Sequence, residues 1–329
     1  MSTPLISIIV PVYNVSRYIE RCARSLFEQS LNDIEYIFVD DCSPDNSIEI
    51  LSQTLSDYPS RMAQVKIISH ETNRGIAATR NTGLKHASGE YIAHCDSDDW
   101  VERDMYESML LEAKRASADI VACDFIMEYG TYCQTCKEMS VIQDKINQLK
   151  AYISSGWTVM WNKLVHRNVY FNNDIYAYEG WDFCEDYGLS VRLLACAVSY
   201  SCIHTPLYHY NRANVDSIVR AYFKLSDKHT ESQIQIYTKI NYWFIERELY
   251  SQLEQVLSWR ILCAKRGWLY DSAKCDSYLK LFPESNKWID SNPLCSKKDK
   301  LCQHVILLPY LRWVISIISL FDRLIKRIK

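Results

Sequence analysis

Through roughly the first 125 residues, short unbroken apolar runs alternate with stretches whose apolar positions recur every three to four residues. Leu5–Val12 is a β-branched run ending in Pro11-Val12-Tyr13-Asn14, the pattern of a buried strand closing in a turn. Ser16 is then placed to cap a helix with Ile19, Cys22, Ala23, Leu26 and Phe27 on one face. Ile34–Val39 reads as a second strand closing on Asp40-Asp41, and Pro44 as the opening of a helix that runs to about Leu55. Val65–Ser69, Tyr91–Cys95 and Ile120–Cys123 supply three more strands. Between the first two of these, a loop with Asn73 and Gly75 leads into a helix with Arg80 and Asn81 near its start. Strand alternating with helix at this spacing predicts an α/β fold, doubly wound and mostly parallel, with helices on both faces. From about Ala221 the alternation stops. Asp227–Arg247 and Tyr250–Tyr270 carry helical periodicity, so the expected organisation is an α/β domain over residues 1–220 and a helical region over 221–329.

In open α/β sheets, ligands bind outside the carboxyl ends of the strands. Tyr13, Asp41, Asp96 and Asp98 each follow a predicted strand directly, so one rule gathers a ring and several carboxylates into one crevice. Gly89–Trp100 reads GEYIAHCDSDDW and sets Asp96, Asp98 and Asp99 within four residues. Carboxylates so close repel one another unless a cation sits among them. Mg²⁺ and Mn²⁺ take oxygen ligands and reach nucleotide phosphates through one or two carboxylates. A solvated acidic turn or a helix N-cap is the alternative reading. The first strand leads into PVYN rather than G-x-G-x-x-G, and no G-x-x-x-x-G-K-[ST] loop occurs. Phosphates bound here would therefore be neutralised by a metal rather than cradled by a glycine turn.

The formal net charge of −3 argues against a general nucleic-acid binder. Thirteen scattered cysteines, with no basic and apolar leader in Met1–Ser7, point to reduced thiols in a cytoplasmic protein. Cys133-x-x-Cys136 has no second pair at zinc-finger spacing. Within Val305–Lys329, Arg312, Ser316, Ser319, Arg323 and Lys326 recur at steps of four and three among apolar residues. The uncharged run Trp313–Phe321 is too short to span a bilayer. This end is expected to form an amphipathic helix on the cytoplasmic face of a membrane, the alternative being a helix packed on protein. A homo-oligomer is compatible with the sequence and not specified by it.

SIIVPVYNVSRYIERCARSLFEQSL, YIFVDDCSPDNS and ETNRGIAATRNTGLKHASGEYIAHCDSDDW together resemble the family 2 glycosyltransferases of the GT-A fold. The resemblance is continuous over about residues 5–125. It continues more loosely through Trp161-Asn162-Lys163, Glu185-Asp186 and Tyr208–Ile218. It implies a nucleotide-sugar donor, usually a UDP-sugar, and Mn²⁺ or Mg²⁺ held through the Asp-x-Asp. Carried over by position, Pro11, Tyr13 and Asp41 line the base and ribose pocket. Asp96 faces ribose and metal, Asp98 is the direct ligand, and Arg80 lies near the nucleotide. Cys42 stands where the family commonly has glycine. An inverting transfer also needs a carboxylate to deprotonate the acceptor hydroxyl. By resemblance Asp186 is that base, with Glu185 beside it; the alternative is a charge complementing a helix dipole. Trp181 is a candidate stacking face for the acceptor, and His209 is read as a core residue more than a metal contact. The acceptor implied is a glycan or lipid-linked sugar in surface-polysaccharide synthesis. A sugar-1-phosphate nucleotidyltransferase and a non-catalytic binding protein are the competing readings.

Overall fold

The computed structural model describes residues 3–214, 227–269, 271–311, 313–314 and 317. They separate into two compact units, Met1–Gln148 with Gly156–Ser217, and Leu149–Ser155 with Ile218–Lys329. In the first unit β1 (Ile6–Val12), α1 (Ile19–Phe27), β2 (Ile34–Asp40), α2 (Ser47–Ser56), β3 (Val65–Ser69), α3 (Ile76–His86) and β4 (Tyr91–His94) alternate as the hydrophobic pattern requires. There follow β5 (Trp100–Val101), α4 (Met105–Ala116), β6 (Ile120–Glu128), β7 (Cys133–Cys136), α5 (Lys145–Ser155, which belongs to the second unit from Leu149 on), β8 (Lys163–His166), α6 (Arg167–Phe171), α7 (Glu185–Cys196) and β9 (Tyr200–Asn211).

Nine described strands form one sheet in the order β3-β2-β1-β4-β8-β6-β9-β5, with β7 paired to β6. Pairing is parallel from β3 to β4 and between β6 and β9. It is antiparallel where β8 joins β4 and β6, and at β5 and β7. The sheet is thus mixed beyond β4. Every residue of β1 is buried. Ile6, Ile8, Val10 and Val12 share a core cluster with Ala23 and Leu26 of α1 and Met105 and Met109 of α4. On the opposite face, α3 comes so close to β1 that a Cβ on Gly83 would collide with the Ile9 side chain. Helices therefore cover both faces, and each buried Ile or Leu contributes roughly 2 kcal/mol.

Two helix starts differ from the sequence expectation. α1 begins at Ile19 behind Tyr18, and the Ser16 N–H instead donates to Asp45 Oδ2 at 2.9 Å. α2 begins at Ser47 rather than Pro44, with Asp45 Oδ1 accepting from the Ser47 hydroxyl at 2.6 Å. Asp45 thereby ties the loop after β1 to the loop after β2. That partnership spans about thirty residues, and no local capping rule could show it.

The second unit is helical: α8 (Asp227–Glu246), α9 (Tyr250–Lys265), α10 (Cys275–Lys280) and α11 (Lys297–Leu307). Leu269, Cys275, Tyr278, Cys302 and Ile306 form its own buried cluster. The continuous helix expected from Val305 is not formed. α11 ends at Leu307, Leu308 turns extended, and Pro309 follows. A residue before proline is pushed out of the helical region, so the break has a local cause. The stripe of Arg312, Ser316, Ser319, Arg323 and Lys326 lies outside the described residues. Among the described residues no helix is long and apolar enough to cross a membrane.

Lys265 is fully buried in this unit. Its Nζ lies 3.3 Å from Phe282 O and 3.3 Å from Ser285 Oγ, and 4.6 Å above the Tyr278 ring. Burial pulls its pKa from 10.5 down to about 7, with Glu284 opposing weakly. Between those values the unfolded chain binds the proton and the folded chain does not, so stability rises with pH from about 7 toward 10.5. Lys265→Met is expected to raise the melting temperature at pH 7 and to flatten its rise toward pH 9. Parallel melting curves for the two proteins across that range would contradict this assignment.

Candidate active site

The crevice is built around Arg80. This residue lies in the second turn of α3, deeper in the helix than the sequence suggested, and is 1% exposed. Its Nη2 donates to Asp96 Oδ1 at 3.0 Å and lies 3.3 Å from Asp186 Oδ1, while Nε is 3.7 Å from Glu185 Oε1. One guanidinium thus joins the end of β4 to the first turn of α7. Its neighbour Asn81 grips the segment leading to α7: its amide donates to Ala177 O at 3.0 Å and its Oδ1 accepts from Ala177 N at 2.8 Å. Asp182 caps α3 by accepting from Ala77 N at 3.2 Å. Gly75, at φ 86°, packs against the same carboxylate with no room for a Cβ. The run from Gly75 to Gly83 is therefore a single device with three jobs. Two glycines allow close approach, Arg80 collects carboxylates and Asn81 holds a backbone.

The turn after β4 is fixed just as firmly. Asp99 is fully buried; its Oδ2 accepts from Tyr208 OH at 2.6 Å and its Oδ1 from Asn211 N at 2.7 Å. The Tyr208 hydroxyl also accepts from Asp96 N at 3.1 Å, and its ring stacks on Trp161 at 4.4 Å. Asp98 Oδ2 accepts from Asn214 Nδ2 at 2.7 Å. Asp99 thus anchors the turn, while Asp96 and Asp98 each keep an oxygen outside these bonds. Tyr208, Asn211, Asn214 and Asp182 were not among the residues expected from sequence. The tyrosine-rich run of β9 was their one visible signal.

Charge in the crevice is unbalanced. Burial works against the Arg80 charge, but Asp186, Asp96 and Glu185 outweigh it and hold the guanidinium protonated. Burial raises Asp186 despite Arg80, and raises Glu185 strongly with Asp186 adding to the effect. Asp98 is pushed up to about 6 by burial, with the Asn214 bond opposing and Asp96 adding. Asp99 is raised by burial and then by Asp98 and Asp96. Arg80 Nε and Nη1 and Asp186 Oδ1 are buried and make no hydrogen bond among the described residues. Beside them His94 is buried and held neutral, first by burial and then by Arg80.

The remaining expected residues fall around this centre. Pro11 is buried in β1, and Tyr13 is 48% exposed on the turn that follows. Asp41 is 3% exposed and clamps the loop before α3: Oδ1 accepts from Arg74 N and Oδ2 from Gly75 N, both at 2.8 Å, with His70 Nδ1 at 2.7 Å from Oδ1. Cys42 adopts φ 59°, so the turn keeps the left-handed geometry that glycine would adopt freely, at a cost of about 1–2 kcal/mol. Trp181 is half-buried on the loop before α7. His209 is not in the hydrophobic core. Its ring stacks on Trp100 at 4.9 Å, and its Nδ1 and Nε2 lie 2.9 Å from Glu128 and Glu102. Both nitrogens are committed to carboxylates, which leaves neither for a metal.

A sheet in the order 3-2-1-4 that turns antiparallel at the next strand, with carboxylates gathered at the strand ends, defines a GT-A glycosyltransferase fold. The chain belongs to glycosyltransferase family 2, whose family model matches residues 7–166. An uncharacterised glycosyltransferase of Bacillus subtilis, EpsJ, is 35% identical over 240 residues, 70% of this chain and 68% of that protein. The solved structure of residues 1–349 of S. aureus TarS in complex with UDP-GlcNAc superposes with a TM-score of 0.67 at 20% identity. It covers 93% of this chain and 91% of its own. A mannosyltransferase from Pyrobaculum calidifontis in complex with GDP-Man and Mn²⁺ superposes at 0.50 with 18% identity, over 98% and 88% of the two chains. The protein is a glycosyltransferase.

Removing the guanidinium leaves Asp96, Glu185 and Asp186 facing one another in a buried space. Arg80→Met is expected to cost roughly 3–5 kcal/mol, read as a lower urea midpoint at pH 7. Acidification should recover part of that loss, because the carboxylates then neutralise. A midpoint within error of the parent would show that Arg80 does not balance this cluster.

Proposed function

We propose that this protein is a metal-dependent, inverting glycosyltransferase that moves a sugar from a UDP-sugar to a glycan or lipid-linked acceptor in surface-polysaccharide synthesis. The observation that carries the reading is the Arg80 bridge, which sets the Asp-x-Asp turn and the Glu185–Asp186 pair on either side of one guanidinium. The UDP-GlcNAc complex of TarS and the GDP-Man and Mn²⁺ complex of the mannosyltransferase support the choice of donor and metal.

The residues fit a hard divalent cation. The donor atoms on offer are carboxylate oxygens: Asp96, Glu185 and Asp186 share the Arg80 guanidinium, Asp98 and Asp99 lie nearer Arg21, and burial raises Asp98, Asp99, Glu185 and Asp186. Asp98 and Asp96 would hold Mn²⁺ or Mg²⁺, which when bound serves as a Lewis acid toward the departing diphosphate. Arg80 orients the Asp96 carboxylate, and Tyr208 fixes the backbone that presents it. Tyr13 offers an exposed ring to the base above buried Pro11, and Asp41 holds the loop of Arg74 and Gly75 at the same rim. Asp186 accepts the acceptor proton at a carboxylate whose pKa burial has raised, which strengthens it as a proton acceptor. Glu185 completes the pair, and Trp181 offers an indole face four residues upstream.

Asp98→Asn is expected to abolish Mn²⁺-dependent binding of UDP in calorimetric titration while leaving the melting temperature at or above that of the parent. Undiminished binding would remove Asp98 from the metal site. Asp186→Asn is expected to bind UDP normally and to lose on the order of 10³-fold in kcat. Turnover near that of the parent would place the base elsewhere.

The basic and apolar stretch Arg312–Lys329 is proposed to rest on an anionic membrane surface on the cytoplasmic side, near a lipid-linked acceptor. Deleting it should abolish flotation with vesicles containing phosphatidylserine. Flotation that persists would assign the stretch to protein packing instead.

A further inference from the structure

We propose that Asp124, Cys202 and His204 form a second cation site, suited to Zn²⁺ and separate from the crevice around Arg80. Asp124 lies on β6, and Cys202 and His204 lie two residues apart on β9. One ligand atom from each falls within 4.8 Å of the others. His204 Nδ1 is 3.2 Å from Asp124 Oδ1 and 4.0 Å from Cys202 Sγ. Tetrahedral zinc with bonds of about 2.3 Å to sulfur and about 2.0 Å to nitrogen and oxygen asks for ligand spacings of about 3.3 Å (N to O) and about 3.6 Å (N to S). The two spacings from His204 Nδ1 thus lie within about half an ångström of what zinc asks for.

Four further observations support a built site. The β6–β9 register jumps here: Cys123 pairs with Ile203, but Asp124 pairs with Pro206, so β9 bulges at His204 and Thr205. Bulges re-aim side chains at such places. The second nitrogen of His204 is engaged in the way a ligating imidazole requires, with Nε2 at 3.3 Å from Ser140 Oγ, a fit for an Nε2–H donor. Asp124 is 2% exposed, and its Oδ1 accepts from Glu138 N at 2.8 Å, which orients the carboxylate and leaves a lone pair for a cation. The His204 side chain is 46% exposed, so the fourth position opens to water and gives an entry path.

Ligand chemistry separates the two sites. A thiolate, an imidazole and a carboxylate select a borderline metal such as Zn²⁺, whereas the all-oxygen set of Asp96 and Asp98 suits Mg²⁺ or Mn²⁺. A cation here would cross-link β9 to β6 four residues ahead of Tyr208, the side chain that holds Asp99 and the Asp96 amide. Its role is to pin the strand that shapes the acidic turn.

The test uses chelator-treated full-length protein titrated with Co²⁺ in the presence of excess Mg²⁺. One equivalent should develop a thiolate-to-cobalt charge-transfer band with tetrahedral visible bands, and Zn²⁺ should displace it. Cys202→Ser and His204→Ala should each abolish the band, and Ser140→Ala should weaken Co²⁺ binding about tenfold. A double replacement of Cys133 and Cys136 by serine should leave the band intact. His204 is partly exposed, so its variant is expected to fold, with circular dichroism as the check. Absence of a thiolate band in the parent, or its survival in Cys202→Ser, would overturn the proposal. The trio would then be a hydrogen-bonded Asp–His pair with a cysteine alongside.

Discussion

A guanidinium buried to the last percent constrains the rest of this structure. Arg80 cannot remain charged in a protein interior without partners, because an unpaired buried charge costs several kcal/mol even after relaxation. Its partners come from the end of β4 and from the start of α7, about a hundred residues later. The pairing sets the distance between the two acidic segments, and it leaves the neighbourhood negative. Three carboxylates around one guanidinium are the feature on which the proposed cation and donor binding rest.

The acidic turn itself is divided between structure and chemistry. Asp99 is sequestered by Tyr208 and Asn211, so it holds the backbone that aims Asp96 and Asp98 at the crevice. Trp161 stacks on Tyr208 and sets its ring plane, which carries the positioning one layer deeper into the core. Tryptophans that could have been sugar platforms are here packing elements: Trp157 and Trp161 both meet Phe125 edge-on. The loop before α3 follows the same principle, with Asp41 spending its oxygens on backbone amides so that Gly75 and Arg74 keep a fixed course.

Strands β1, β2, β4 and β6 could be read from the chain because buried strands are continuous apolar runs, a pattern with few alternative explanations. In contrast, β3 is a largely exposed edge strand, legible only from its short β-branched run. Helix starts were harder. Ser16 and Pro44 carry standard start signals, yet Asp45 takes the partners that a cap would have used. Short or polar strands such as β5, β7 and β8 have no apolar run of their own and exist because a neighbouring edge supplies hydrogen bonds. His209 shows the same limit in a side chain. Its surroundings come from two distant segments, Trp100 and Glu102 at β5 and Glu128 at the end of β6.

The sequence by itself determined the α/β alternation, the acidic residues at strand ends, the Arg-Asn pair and the family to which the chain belongs. These are properties of residue order: periodicity sets which face is buried, and the strand-end rule sets where polar groups collect. Tertiary structure alone decided how the carboxylates divide their work. Asp96 and Asp98 border the crevice, Asp99 is locked beneath it, and Glu185 and Asp186 stand across Arg80, because protonation and reach depend on burial and on partners distant in the chain. It also decided that β9 bulges beside Asp124 and brings a cysteine and a histidine to it, a placement set by strand register, which no local pattern encodes.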